Sequence, residues 1–253
     1  MIIVKTADEL ERMRRAGVVA AEALREVARA VRPGVTGAAL DRIAETFIRD
    51  HGATPSFKGY RGFPASVCIS VNDEVVHGIP DGRPLREGEI VSIDLGAVVE
   101  GFHGDTAVTV PVGEVGKELR RLLTVAREAL DKGIEAVRPG RGLGDVGGAV
   151  QRHAERAGFS VVRDFAGHGI GRHLHEEPQV PNFGEPGTGT VLRPGMTLAI
   201  EPMVNLGGAE VVMDGDGWTV RTRDGRPSAH FEHTVAVSED GSDVLTSIPG
   251  GVL

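Results

Sequence analysis

Cysteine is nearly absent from this chain: of 253 residues only Cys68 carries a thiol. An internal disulfide is excluded, and a reducing compartment suits the composition. Positive charge is also short. The 28 Lys and Arg against 36 Asp and Glu leave a net charge of -8, so no basic surface is expected for nucleic acid or anionic lipid. No apolar run approaches the roughly eighteen residues of a membrane span. The opening Met1-Ile-Ile-Val-Lys-Thr lacks a basic region followed by a long apolar core, so the expectation is a cytoplasmic protein, neither exported nor anchored by such signals. Low-complexity linkers and tails are missing too. Aromatic residues make up 4%, with one Tyr (Tyr60) and one Trp (Trp218). Glycine, by contrast, is abundant, 36 residues, about twice its ordinary frequency. It recurs beside the polar residues singled out below, which implies loops where backbone passes close to something.

What is present is a hairpin from Glu89 to Val112, EIVSIDLGAVVEGFHGDTAVTVPV. Period-2 alternation puts Ile90, Ser92 and Asp94 on one face of its first strand and Val91, Ile93 and Leu95 on the other. In the second strand Asp105, Ala107 and Thr109 share a face. The midpoint between Asp94 and Asp105 falls in Val99-Glu100-Gly101, so the two aspartates are read as cross-strand neighbours. Like charges that close need a cation between them, or one carboxylate must keep its proton. The competing reading is that one aspartate only caps the glycine-rich turn.

The chain repeats this segment. Leu85-Arg-Glu-Gly-Glu-Ile-Val-Ser-Ile-Asp94 matches Leu192-Arg-Pro-Gly-Met-Thr-Leu-Ala-Ile-Glu201, and His103-Gly-Asp105 matches His230-Phe-Glu232. Ala-Val-Arg-Pro-Gly stands at 30 to 34 and again at 136 to 140, and Gly52 and Gly158 each end the segment that follows. Four carboxylates thus form two pairs, one per half. Two halves related by a pseudo-twofold axis would bring both pairs to one centre, which favours a metal site. The expected organisation is one fused catalytic domain, 1–253, with half one at about 1–113 and half two at about 114–253.

Each half opens with two helices. Thr6-Ala-Asp-Glu9 is a capping box before the stripe Leu10, Met13, Gly17, Ala20, Leu24, Val27. Thr36 caps a second helix that Gly52 ends. In half two, one helix runs from near Gly116 to Gly140 and another covers Leu143 to Ala157, where Gly144, Gly147 and Gly148 imply close packing against another element. Strands are expected at Ala65 to Val71, then at about 159 to 164, 196 to 204, 210 to 213, 217 to 222 and 229 to 237. Asn72 to Pro84 reads as a loop holding His77-Gly78-Ile79-Pro80.

Binuclear hydrolases usually add imidazole to carboxylates, so the nine histidines matter. His168 lies between glycines in Gly167-His168-Gly169-Ile170-Gly171, and His175 follows in His-Glu-Glu-Pro. Any one histidine read alone is more simply a surface or hydrogen-bonded residue.

With these residues assembled, the chain resembles the methionine aminopeptidases of the bacterial, type I kind. The order Asp94, Asp105, His168, Glu201, Glu232 is similar to their five-ligand signature, and the short interval from Glu201 to Glu232 leaves no room for the helical insert of the type II enzymes. The likeness spans essentially the whole chain and includes Asn72 to Pro80, Gly101-Phe-His-Gly-Asp105-Thr, Glu201-Pro-Met-Val and Glu232-His-Thr. It implies an α+β pita-bread fold, two pseudo-twofold-related halves with helices outside a central antiparallel sheet. It also implies two divalent ions, Co, Mn or Fe, with Asp105 and Glu232 bridging, Asp94 on one ion, and His168 and Glu201 on the other. A bridging hydroxide would be the nucleophile, Glu201 a proton shuttle, and His77 and His175 non-ligand histidines at the reacting amide. Tyr60, Phe63, Cys68, His77, His175 and Trp218 would form the substrate site, a lining of aromatic edges that suits a thioether. Phe63 and Cys68 could equally be plain core. Leu174 stands where the bacterial enzymes often carry phenylalanine, which leaves fine specificity open.

The implied activity removes the initiator methionine when the second residue is small. The expected partners are nascent polypeptide N-termini, with the ribosome an open question because no docking segment is visible; no nucleic acid or membrane is expected, and the chain is read as a monomer. Two other readings compete. Prolidases and aminopeptidase P share a similar ligand set, but they carry a further N-terminal domain for which Asp94 comes too early. Pita-bread binding modules that have lost their ligands fit poorly with five retained ones.

Overall fold

The computed structural model describes residues 1–252. Helices α1 (Ala7–Ala30) and α2 (Gly37–Asp50) precede strands β1 (Thr54–Pro55), β2 (Val67–Val71), β3 (Glu74–Val76), β4 (Ile90–Val99) and β5 (Phe102–Pro111). Helices α3 (Lys117–Ala136) and α4 (Leu143–Arg156) follow. Then come β6 (Ser160–Val161), β7 (Gly167–Gly169), β8 (Glu176–Val180), β9 (Thr197–Ile200), β10 (Met203–Asn205), β11 (Val211–Met213), β12 (Val220–Thr222), β13 (Ser228–His230), β14 (Glu232–Val237) and β15 (Ser242–Val244). None of the described helices is long and apolar enough to cross a membrane.

The helices start and stop as their sequence requires. Thr6 accepts the Glu9 N–H while the Glu9 carboxylate accepts the Thr6 N–H, so α1 begins with the expected capping box. Its stripe of Met13, Gly17, Ala20, Leu24 and Val27 is buried. The duplication is visible in the hydrogen bonds. Gly34 donates to the Leu85 carbonyl and Leu85 to that of Val35; in half two Gly140 donates to Leu192 and Leu192 to Arg141. Helices α2 and α4 each have 14 residues.

The two halves meet in one nine-stranded sheet, ordered β1-β4-β5-β14-β9-β7-β8, with β2 on β4 and β15 on β14. All of these pairings are antiparallel. The seam is β5 against β14, where Glu232 faces Ala107. Val91, Ile93 and Leu95 join Leu198 and Ile200 in a core shared with Leu24, Leu122 and Leu130, so the apolar strand faces lie under the helices as expected.

Four expectations change in detail. The aspartates are not directly opposite: Asp94 pairs with Ala107 and Asp105 with Gly96. The cause is a two-residue turn at Glu100-Gly101, both with positive φ (51° and 79°), which pairs Val99 with Phe102 and moves the register by two. The aspartates remain on one face as diagonal neighbours. Second, the long strands expected at 196 to 204 and 229 to 237 are each broken, at Glu201-Pro202 and at Phe231. Proline has no N–H for the ladder, and here the chain leaves the large sheet for a small one in which β10 pairs with β13. Third, β7 and β8 form where glycines argued for a loop. A Cβ at Gly167 would lie 2.3 Å from the Ala199 carbonyl oxygen and one at Gly169 2.2 Å from that of Glu177, so only glycine lets three strands approach there. Fourth, β3 forms inside the expected Asn72 to Pro84 loop, paired with β12. The glycines of α4 do meet another element: a Cβ on Gly147 would lie 2.4 Å from both the Pro181 and Phe183 carbonyl oxygens.

Candidate active site

The breaks and the register converge on one face of the sheet. Asp94 on β4 and Glu232 on β14 flank Ala107 of β5 from either side, with Asp105 two residues along the same strand face. Glu201 follows the last residue of β9, and His168 of β7 is opposite Ala199. Backbone bonds fix this arrangement. The Thr234 hydroxyl accepts the Asp105 N–H and donates to the Asp105 carbonyl, and the Thr106 hydroxyl donates to the Glu232 carbonyl, sewing the two halves together beneath the carboxylates.

Donor atoms of Asp105, His168 and Glu232 all lie within 4.8 Å of one another. Glu201 lies beside them, its Oε1 3.6 Å from His168 Nε2. Asp94 faces the same cleft. One oxygen each of Asp94, Asp105 and Glu232 is buried with no hydrogen-bond partner. A buried carboxylate oxygen left so is costly, and the electrostatics reflect it. Burial, then Asp105 and Glu201, raises Asp94 far above the usual carboxylate range. Burial, then its carboxylate neighbours, does the same for Glu232. Asp105 is pushed up to about 8 by burial and then by Glu201, and Glu201 to about 8 by burial. Burial also lowers His168 to about 3, leaving it a neutral ligand-type imidazole. Such a group either stores protons or holds cations. Oxygen donors with one imidazole fit divalent first-row ions, and the orphaned oxygens are the atoms such ions would satisfy.

Every residue expected at the site lines a single cleft of about 150 Å³, and Phe57 and Arg61 line it too. Cys68, opposite Asp94 on β2, is buried, and burial raises its thiol well above the ordinary range. Phe63 and Trp218 meet edge to face at 5.1 Å between ring centroids. Leu174 is part of the same apolar cluster. His175 stands at the rim with its Nδ1 2.8 Å from the Tyr60 hydroxyl, and the two rings stack. Its ring centroid is 4.1 Å from that of His168. The walls around His175, then Arg61, lower it to about 4. His77 also falls to about 4 through burial. Its φ of 62° is uncommon for a residue with a side chain and histidine tolerates it better than most. Gly78 fastens that turn to β2, donating to Ser70 Oγ while its carbonyl accepts from Ile69.

The loop that carries His175 is tethered from the far end of the chain. Lys5 Nζ is 2.6 Å from Glu176 Oε2, both side chains almost fully buried, and Glu176 Oε1 accepts the His173 N–H. Three residues escaped the sequence reading. Arg61 lies within Tyr60-Arg-Gly-Phe63, whose flanking members were singled out. Phe57 carried no signal. His230 stands behind Glu201, Nε2 3.6 Å from Oε2, and its signal was the repeat that aligns it with His103.

Comparison with known proteins agrees with this geometry. The profile of metallopeptidase family M24 matches residues 11–239. A methionine aminopeptidase of Clostridium perfringens (strain 13 / Type A) is 53% identical over 248 residues, 98% of this chain and 100% of the relative. Methionine aminopeptidase 1 of Bacillus subtilis (strain 168) is 50% identical with the same coverage. The crystal structure of methionine aminopeptidase from Rickettsia prowazekii superposes with a TM-score of 0.96 at 45% identity, over 98% of this chain and 100% of that one. Fold, buried carboxylate cluster and similarity over nearly the whole length agree, and the chain belongs to the methionine aminopeptidases of metallopeptidase family M24.

Proposed function

We propose that this protein removes the initiator methionine from polypeptides whose second residue is small, acting on nascent N-termini as a cytoplasmic monomer with two divalent ions. The observation that carries the reading is the joining, in one cleft, of a carboxylate cluster with orphaned buried oxygens to an aromatic apolar pocket. Four carboxylates balance the charge of two divalent cations. In this reading Asp105 and Glu232 would hold both ions, Asp94 would hold one, and His168 and Glu201 would hold the other. Cobalt, manganese or iron, when bound, would supply Lewis-acid activation of water and of the scissile carbonyl at neutral pH.

The remaining work belongs to the chain. Tyr60, Phe63, Cys68, His77 and Trp218 receive the methionine side chain, whose thioether gains from aromatic edges. With the Tyr60 hydroxyl donating to Nδ1, His175 carries its proton on Nε2 and can donate it to the scissile amide oxygen as charge develops there. His77 orients the same amide from the opposite wall. Glu201 is the proton carrier, taking a proton from the attacking water and delivering it to the departing amine. The residue after methionine lies against the cleft wall, so size and not charge sets the rule.

A mass-spectrometric peptide panel tests this, run with Mn, Fe or Co against a chelated control. Met-Ala, Met-Gly and Met-Ser peptides should lose methionine, whereas Met-Lys, Met-Leu and N-formyl-Met peptides should persist. Rapid release of Ala from Ala-Pro with Met-Ala untouched would assign the protein to proline-specific chemistry instead.

A further inference from the structure

His230 is a buried imidazole beside the cleft to which none of these roles gives work. It ends β13 and is 1% exposed. Its backbone is fully engaged: the N–H donates to Thr109 Oγ1 at 2.8 Å, and the carbonyl accepts from the same hydroxyl at 2.8 Å. Thr109 is in turn 2.8 Å from Ser92 Oγ. The main chain is therefore held rigidly while both ring nitrogens are buried with no hydrogen-bond partner. The repeat makes this a contrast. His103, at the equivalent position of half one, has Nδ1 2.9 Å from Ser56 Oγ and is satisfied.

The carboxylate that faces the orphaned ring is Glu201. His230 Nε2 lies 3.6 Å from Glu201 Oε2, and His168 Nε2 lies 3.6 Å from Glu201 Oε1. One carboxylate thus sits between two imidazoles, one to each oxygen. We propose that His230 is the positioning residue of Glu201: its Nε2–H is donated to Oε2 and keeps Oε1 turned toward His168 and the carboxylate cluster. This rests on the ligand reading of Glu201 given above. A neutral imidazole has a single N–H to give, and an outer donor that holds a ligating carboxylate tunes the affinity of the site. At 3.6 Å the pair is in contact but longer than a hydrogen bond. A shift of roughly half an ångström in the Glu201 carboxylate closes the pair to a hydrogen bond.

Calorimetric titration with Mn(II) of wild type, H230L and H230Q tests the assignment. Leucine fills the space without a donor and should weaken one of the two Mn sites about 10- to 100-fold, leaving the other as in wild type. Glutamine keeps an N–H near Glu201 and should restore most of that affinity. On a Met-Ala-Ser peptide, H230L should lower kcat with KM little changed, and H230Q should recover it. Should H230L melt below the assay temperature, H230N replaces it, because the shorter amide stops short of Glu201. Wild-type affinity at both sites in the donor-less variant would make His230 a space filler and overturn the proposal. Loss of a whole site in both H230L and H230Q would make it a ligand and overturn it equally. The proposed function fails on a different observation, wild-type protein that binds Mn and leaves Met-Ala-Ser whole, while the His230 comparison is read from Mn affinities alone.

Discussion

The two halves of this molecule began as one pattern and have been put to different uses. Helices α2 and α4 have the same length and equivalent ends, yet at equivalent positions half one carries Asp41 and half two Gly147. Asp41 reaches across with its carboxylate to accept the Ser66 and Val67 N–H groups. Gly147 instead lets helix and loop touch backbone to backbone. The hairpins differ in the same sense. Strands β4 and β5 run unbroken for 10 residues each, whereas their counterparts in half two are cut at Pro202 and Phe231, with the β11–β12 hairpin and Trp218 inserted between. Half one is a rigid platform with two carboxylates, His77 and the pocket side chains of Tyr60, Phe63 and Cys68. Half two, broken where the platform is continuous, supplies two carboxylates, the imidazoles of His168 and His175, and one pocket wall. Duplication brought the charges together, and divergence of the two copies brought the imidazoles and the pocket.

If both halves own the centre equally, Asp105→Ala and Glu232→Ala should be equally severe. Each is expected to take methionine release below detection and to lower Mn stoichiometry, read by calorimetry. His168→Ala should weaken one site more than the other. Two tight sites remaining in Asp105→Ala would break the symmetry claimed here.

The imidazoles peculiar to half two give the next largest effect. His175→Ala should retain its metal and lose kcat by roughly a hundredfold to a thousandfold, the usual cost of one donor to a developing oxyanion. Metal loss in that variant would turn His175 into a ligand and displace His168 from that role.

Removing the metal tests the shared centre by pH. Asp105 and Glu201 are raised to about 8, above their ordinary values, so the folded protein holds protons that the unfolded chain releases. Stability from that source is complete below the ordinary carboxylate pKa of about 4 and is lost as pH rises toward about 8. Chelated protein should therefore melt progressively lower from about pH 5 to 8. Mn-loaded protein should show a much flatter profile by calorimetry, and parallel profiles would mean that the cluster does not take up the ion.

The smallest effect lies farthest from the cleft. Gly147→Ala forces a methyl group against two carbonyl oxygens and should cost about 1–3 kcal/mol through overpacking. Asp41→Ala should cost about 1–3 kcal/mol through two buried N–H groups left unpaired. Similar losses in thermal melts, by opposite causes, would match the comparison; a neutral Gly147→Ala would show that the α4 contact is loose.

Much of this was legible in the sequence because it is periodic or repeated. The capping box at Thr6, the stripe of α1, and the pairing of Asp94 with Glu201 and Asp105 with Glu232 all follow from local chemistry or internal likeness. What stayed hidden was decided by partners distant in the chain. The register of β4 on β5 depends on a turn centred one residue later than the midpoint between the aspartates. Strand β7 is too short and too rich in glycine to announce itself, β8 carries Pro178, and both exist because β9 lies between β7 and β14. His230 looked like a repeat of His103 until the fold showed one satisfied and the other not.

The β5–β14 seam has a consequence for how the enzyme comes into being. Ala107 leaves the ribosome 125 residues before its partner Glu232, which at ordinary synthesis rates is a wait of roughly 6 to 25 s. During that interval Asp94 and Asp105 sit on a finished hairpin with no opposing strand, while His168 and Glu201 follow only 61 and 94 residues after Ala107. The nascent chain is thus chemically silent until its last strands arrive. A prematurely terminated copy ending just before Glu232 would carry the pocket residues but only four of the five ligands, and would be inert rather than promiscuous.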